Sequence, residues 1–222
     1  MGVEPLAEPG EGSISRTVST PSNTLVSLPD FHDHDVGVCL DLLTVASPAD
    51  ENVLAISFEE TATDKACRWS EAIDLPPREL AVVEASPSDP AASAGPTRGR
   101  TGDSERTGAT APDPTRRVSD GGDLTSLAET IGGQLSEWEA SDARTVVCFE
   151  SLTALLERNG LRGAFRFLCL LGRRLESADA VAHFHLDPDA VDDRTLYTLF
   201  PLFGTVVEHD ESGSIRLTSS RG

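Results

Sequence analysis

Two short groups of side chains in this chain are equipped for chemistry. His32-Asp33-His34-Asp35 closes a segment reading S-L-P-D-F-H-D-H-D over Ser27–Asp35, and His183-Phe184-His185-Leu186-Asp187 ends a later apolar run. Alternate residues of a strand point the same way, so His183 and His185 share a face. Imidazole and carboxylate donors within reach of one another suit zinc, manganese or iron, which makes His32, His34, His183, His185 and Asp187 candidate ligands for a transition metal. The same residue types have ordinary uses as well. H-x-H on a strand also serves as packing with one hydrogen bond, H-D-H-D as a hydrated loop, and Asp187-Pro188 as a strand-to-turn exit. Cys39, Cys67, Cys148 and Cys169 are far apart and mostly within apolar stretches, with no C-x-x-C pair, so they read as buried reduced thiols. No Ser-His-Asp or Cys-His arrangement stands out.

The first group occupies an informative place. Thr24-Leu25-Val26 is a short strand-like run and Val36–Leu43 an apolar helical one. Between such a strand and helix, nucleotide-binding proteins keep a glycine-rich loop ending in Lys-Ser or Lys-Thr, whose amides, lysine and helix N-terminus cradle phosphates. Here the loop has no glycine and no lysine but has Asp30, Asp33 and Asp35, which repel a triphosphate.

The elements that must position these groups follow from periodicity. Asn52–Phe58 and Leu80–Val83 read as buried strands, with a helix over Thr63–Ile73 between them. Asp123 is placed to cap a helix running to about Glu139, with Leu124, Leu127, Ile131, Leu135 and Trp138 on one side. Thr145–Phe149 is a strand, Ser151–Glu157 a short helix, Gly163–Ser177 a long amphipathic helix, Ala180–Leu186 a strand and Asp192–Leu202 a helix. Thr205–Glu208 and Ser214–Thr218 are closing strands. Strands apolar on both faces and alternating with helices predict an α/β fold, a mostly parallel sheet with helices on both faces. The segment Ser86–Gly122 is crowded with Pro, Gly, Ser, Thr, Asp and Arg and has Val118 as its only large aliphatic residue. It reads as a disordered insertion, and residues 1–21 as a disordered N-terminal segment, leaving one domain over 22–222.

Composition excludes several function classes. The 222 residues carry a formal charge of −19, and the basic residues are 17 Arg and one Lys, Lys65. Acidic residues are spread along the chain rather than gathered in a tail. A hydrated carboxylate surface with lysine almost removed reads as adaptation to high salt, where repulsion is screened within a few ångströms. Nucleic acid is not an expected partner, because its backbone demands clustered positive charge. No signal-peptide core and no run near the roughly 18 apolar residues of a membrane span is present, so the expected location is the cytoplasm.

Four segments resemble the RecA-superfamily ATPases, and within them the KaiC-like branch, over roughly Ser22 to Gly222. Val53–Phe58 followed by Glu59-Glu60 looks like the KaiC strand that ends in paired glutamates. Val82–Ser86, then Asp123–Leu127, is similar to the strand and helix that follow there, and Ser214–Gly222 resembles the terminal strand. Val146-Val147-Cys148-Phe149-Glu150-Ser151 looks like the Walker B strand, where the family has Asp-Ser. The resemblance implies a RecA-like sheet, Glu59 and Glu60 as catalytic residues that polarise the attacking water, and Glu150 and Ser151 as a vestigial Walker B nucleotide-binding pair. It also implies that the strand ending near His185 lies beside the one ending near Ser27, bringing both histidine groups to the carboxyl edge of the sheet.

The departures decide the expected function. Leu28–Asp35 fills none of the phosphate-loop roles, and Glu150 is one methylene longer than the family's aspartate. Each lost charge-assisted hydrogen bond costs about 1.5–3 kcal/mol, and three such losses remove several decades of affinity. No cofactor is therefore expected, ATP and magnesium included. The leading expectation is a pseudo-ATPase acting as a regulatory or signalling module through a protein partner or self-association. The alternatives are a residual ATP-binding or ATP-hydrolysing enzyme using Glu59 and Glu60, and a metal-dependent enzyme or sensor using the histidines.

Overall fold

The computed structural model describes residues 23–28, 47–58, 77–85, 115–118, 123–209 and 215–219. Eight strands form one sheet in the order β4-β3-β2-β5-β6-β1-β7-β8. They are β1 (Asn23–Ser27), β2 (Glu51–Ser57), β3 (Glu79–Glu84), β4 (Thr115–Arg117), β5 (Arg144–Glu150), β6 (Val181–Leu186), β7 (Thr205–His209) and β8 (Ile215–Ser219). Every neighbouring pair is parallel except β7 with β8. Three α-helices lie among the described residues: α1 (Leu124–Trp138), α2 (Leu152–Ser177) and α3 (Asp193–Leu199). The mostly parallel α/β sheet read from periodicity is thus present. The helical runs Val36–Leu43 and Thr63–Ile73 lie outside the described residues, as do residues 1–21 and most of the 86–122 insertion.

Strand side chains alternate between faces, and here the alternation separates two kinds of residue. Leu54, Ile56, Val147, Phe149, Ala182 and Phe184 form one core cluster with Leu127, Ile131 and Leu135 of α1 and Leu155, Phe167, Leu168 and Leu171 of α2. On the opposite face, Val26, Val53, Ala55, Val82, Val146, Cys148, Val181, His183, His185 and Val207 are also buried. Burial on both faces is what a parallel sheet requires, and it explains the near-continuous apolar runs of these strands.

The local starts and stops follow their chemistry. The Asp123 carboxylate accepts from the Thr125 and Ser126 amides and from Ser126 Oγ, the cap anticipated for α1. Asp192 caps α3 by accepting from the Thr195 amide at 2.7 Å. The two helices expected on either side of residue 160 run together as α2, broken by Gly160 at φ 65°, ψ 165°, a conformation that glycine adopts without strain. One expectation is corrected. Residues 115–117, read as part of the disordered insertion, form edge strand β4, paired parallel with β3, and the N–H of the following Val118 donates to Glu84 O at 2.8 Å. An edge strand is held by backbone hydrogen bonds, so a polar sequence can form one. Val118, the single aliphatic residue of that stretch, is buried.

Phe149 sits fully buried between Phe58, Phe167 and Phe184, with ring centroids 5.5, 6.2 and 5.4 Å away. Phe149→Ala is expected to lower unfolding stability by about 3–5 kcal/mol, measured as the shift of the denaturant midpoint at constant KCl. The caps predict a pH response. Hydrogen bonds from Ser126, side chain first and backbone second, hold the Asp123 carboxyl below its ordinary value of 3.8. Thr195 does the same for Asp192. A depressed carboxyl contributes stability above its unfolded value and loses it as pH falls further. Acid titration of the unfolding midpoint should therefore decline less steeply below pH 3.8 in Asp123→Asn than in the wild type.

Candidate functional site

Ligands of open α/β sheets bind beyond the carboxyl ends of strands whose connections leave in opposite directions. Two such places bear on the candidate residues. From β1 the chain goes to β2 and from the adjacent β6 to β7, on opposite sides; from β2 it goes to β3 and from the adjacent β5 to β6. At the first, Val26 pairs with His185 and Ser27 with Leu186. At the second, Ser57 pairs with Glu150, and Ser57 also pairs with Glu84 of β3. Register partners in parallel strands share a face. Glu84, Ser57 and Glu150 therefore form a row at the carboxyl edge, and Cys148 and His183, paired with each other, form the row behind it.

The strand arrangement expected for the histidines is observed: β6 lies beside β1. Within it, His183 and His185 are each 1% exposed, with ring centroids 4.9 Å apart and planes at 87°. Cys148, wholly buried, joins them, its Sγ 3.6 Å from His185 Nε2. One donor atom from each of Cys148, His183 and His185 lies within 4.8 Å of the other two. This thiol was not anticipated as a ligand. Its position in V-V-C-F-E puts it on the face opposite Phe149, but only the β5–β6 register places it against His183.

Asp187 is placed differently. Its carboxylate accepts from the Asp189 amide at 2.9 Å, and its own N–H donates to Thr153 Oγ1 at 3.0 Å. It makes the strand-to-turn exit and is not part of the cysteine–histidine group. His32 and His34 lie outside the described residues, and so do Glu59 and Glu60. Glu150, half-buried, ends β5, and the peptide bond to Ser151 is cis. Ser151 caps α2, its Oγ accepting from the Ala154 amide at 3.1 Å.

The ends of β2 and β3 are tied together by one cation. Arg158 of α2 donates from Nη1 to Ala85 O at 2.6 Å and from Nη2 to Phe58 O at 3.2 Å, with its guanidinium 5.2 Å from the Phe58 ring centroid. Arg158 falls between the two helices expected from periodicity, Ser151–Glu157 and Gly163–Ser177, where nothing in the sequence marks it. Only the tertiary contact shows that it holds the chain at the point where β2 leads into Glu59 and Glu60.

This fold and site define an α/β protein whose sheet edge carries carboxylates, imidazoles and a thiol. The chain matches the family of unknown function DUF7504 over residues 21–209 and belongs to that family. No curated protein matches the sequence. Among solved structures, a protein of Pyrococcus horikoshii OT3, described as a structural study of project PH0250, is similar at TM-score 0.57 and 11% identity, covering 91% of this chain and 88% of that one. At that identity the likeness concerns the fold alone.

Arg158→Ala should accelerate amide hydrogen exchange at Phe58 and Ala85, which donate to Glu150 O and Ser57 O, while leaving Val147 unchanged. The expected loss of stability is about 1.5–3 kcal/mol, the size of one charge-assisted hydrogen bond. Unaltered exchange at both amides would show that Arg158 does not clamp the edge.

Proposed function

We propose that this protein is a non-catalytic, RecA/KaiC-like module that acts by binding another protein and does not turn over ATP. The observation that carries the reading is at Leu28, the first residue after β1. A phosphate-binding loop begins there and must turn its amides toward the ligand. Here the Leu28 N–H donates to Leu186 O at 3.3 Å, prolonging the β1–β6 ladder, and the Leu28 side chain is fully buried. The loop thus starts with its first donor engaged in the sheet and its first side chain in the core.

The neighbouring chemistry points the same way. Glu84 and Glu150 present carboxylates at the adjacent edge, which disfavours the four negative charges of a triphosphate unless cations intervene. The Ser151 hydroxyl is engaged in capping α2. Arg158, the cation that reaches the ends of β2 and β3, is committed to two backbone carbonyls. Leu170 on α2, at 65% exposure, and Tyr197 on α3, at 73%, are two large apolar side chains left in solvent and accessible to a partner.

Equilibrium dialysis of the full chain against radiolabelled ATP in multimolar KCl, with and without magnesium, tests the reading. The expected result is no saturable binding at millimolar nucleotide and no magnesium-dependent phosphate release. Micromolar, magnesium-dependent binding would overturn it, and release abolished by Glu59→Gln with Glu60→Gln would establish the residual enzyme in its place.

A further inference from the structure

We infer that Cys148, His183 and His185 form a binding site for one zinc ion within the sheet. The three donors come from two adjacent strands and one face. Cys148 and His183 are register partners, and His185 lies two residues further along β6. A tetrahedral zinc ion with Zn–S near 2.3 Å and Zn–N near 2.0–2.1 Å holds sulfur and nitrogen about 3.6 Å apart. The distance between Cys148 Sγ and His185 Nε2 is 3.6 Å. The whole donor set lies within 4.8 Å, so closing on the ion asks each remaining donor pair to shorten by at most about 1.5 Å.

The donor types narrow the ion. One thiolate and two imidazoles are soft to borderline ligands, which select zinc over magnesium, calcium or manganese. The nearby carboxylates are placed to assist rather than to ligate. Glu150, two residues beyond Cys148 on β5, and Glu84, in the same row through Ser57, lie one row closer to the carboxyl edge than Cys148 and His183 and on the same face. Their negative charge favours a cation in the row behind. Asp187 is occupied at its turn. Cys148 binds as thiolate, its proton passing to solvent as the zinc–sulfur bond forms. Three protein ligands leave a fourth coordination position for water or a small anion.

The competing account is a packed thiol–imidazole hydrogen bond with an edge-to-face imidazole pair, and the two differ measurably. The test uses the untagged full chain, stripped with chelator and titrated with zinc chloride or cobalt chloride alone. The expected results are one zinc per chain after dialysis, and a cobalt form showing both a thiolate-to-metal charge-transfer band and the intense visible bands of tetrahedral cobalt. Cys148→Ser should abolish the charge-transfer band and Cys169→Ser should preserve it. His183→Ala and His185→Ala should each weaken zinc binding by on the order of 100-fold or more. Should those variants fail to fold, the wild-type chain still decides the matter. Zinc must raise its unfolding temperature and, in denaturant that opens the metal-free fold to expose the buried Cys148 thiol, slow the alkylation of that thiol, read by peptide mass spectrometry. Substoichiometric zinc with no cobalt charge-transfer band, or a band that survives Cys148→Ser, overturns the site. Copper in place of zinc in the protein as isolated, with an intense blue copper(II) form, overturns the choice of ion. None of these readouts involves nucleotide, so failure here leaves the ATP experiment unaffected, and the reverse holds too.

Discussion

The backbone register of the four central strands, β2-β5-β6-β1, is the constraint on which the rest of this structure depends. A parallel ladder leaves no freedom to slip by one residue, because a slip would carry every side chain to the opposite face. With Phe149 and Phe184 committed to the face that packs on α2, Cys148, His183 and His185 have no alternative to the other. The same ladder sets Ser57 beside Glu150 and Val26 beside His185. The aromatic core and the polar cluster are thus two sides of one arrangement. A change in either is transmitted to the other through two adjacent residues of β5.

Helix α2 converts that register into a fixed sheet edge. Its first residues follow directly on Glu150, with Ser151 as cap, and its break at Gly160 lets the two halves take separate paths over the core. Arg158, just before the break, reaches back to the carbonyls of Phe58 and Ala85. Further along, Arg174 bonds Ser136 and Glu139 at 2.6 and 2.7 Å, joining α2 to the end of α1. The Arg174–Glu139 pair is largely solvated and adds little energy by itself. Its effect is to limit how α1 and α2 slide over the shared apolar face.

The chemistry of the edge is consistent with the charge of the whole chain. A protein with a formal charge of −19 gains nothing from concentrating anions in a crevice, and its edge carries glutamates where a nucleotide site needs donors. A cation is the natural complement. The row of Glu84, Ser57 and Glu150 over the row of Cys148 and His183 grades from hard oxygen donors at the rim to sulfur and nitrogen donors within. The proposed protein-binding role and the inferred zinc site are compatible, since a metal held between β5 and β6 would stiffen the edge that the rest of the protein presents.

Much of the architecture was written in local sequence, because its determinants are local. Apolar runs of strand length, the Asp123 cap, and the spacing of Leu127, Ile131 and Leu135 depend on neighbours within a few residues. So did the expectation that His183 and His185 share a face, which needs only the alternation of one strand. Edge strand β4 was not legible, since its hydrogen bonds come from β3, some thirty residues away, and its own side chains carry little apolar signal. Arg158, outside both helices expected from periodicity, carries no local signal, and its role is defined only by the two strand ends within its reach. Cys148 marks the same boundary. Sequence alone determined which face of β5 its thiol would take, whereas only the tertiary structure decided that this face of β5 would meet the histidines of β6. Pairing between strands separated by a 26-residue helix is set by the packing of the whole sheet and by no residue close at hand.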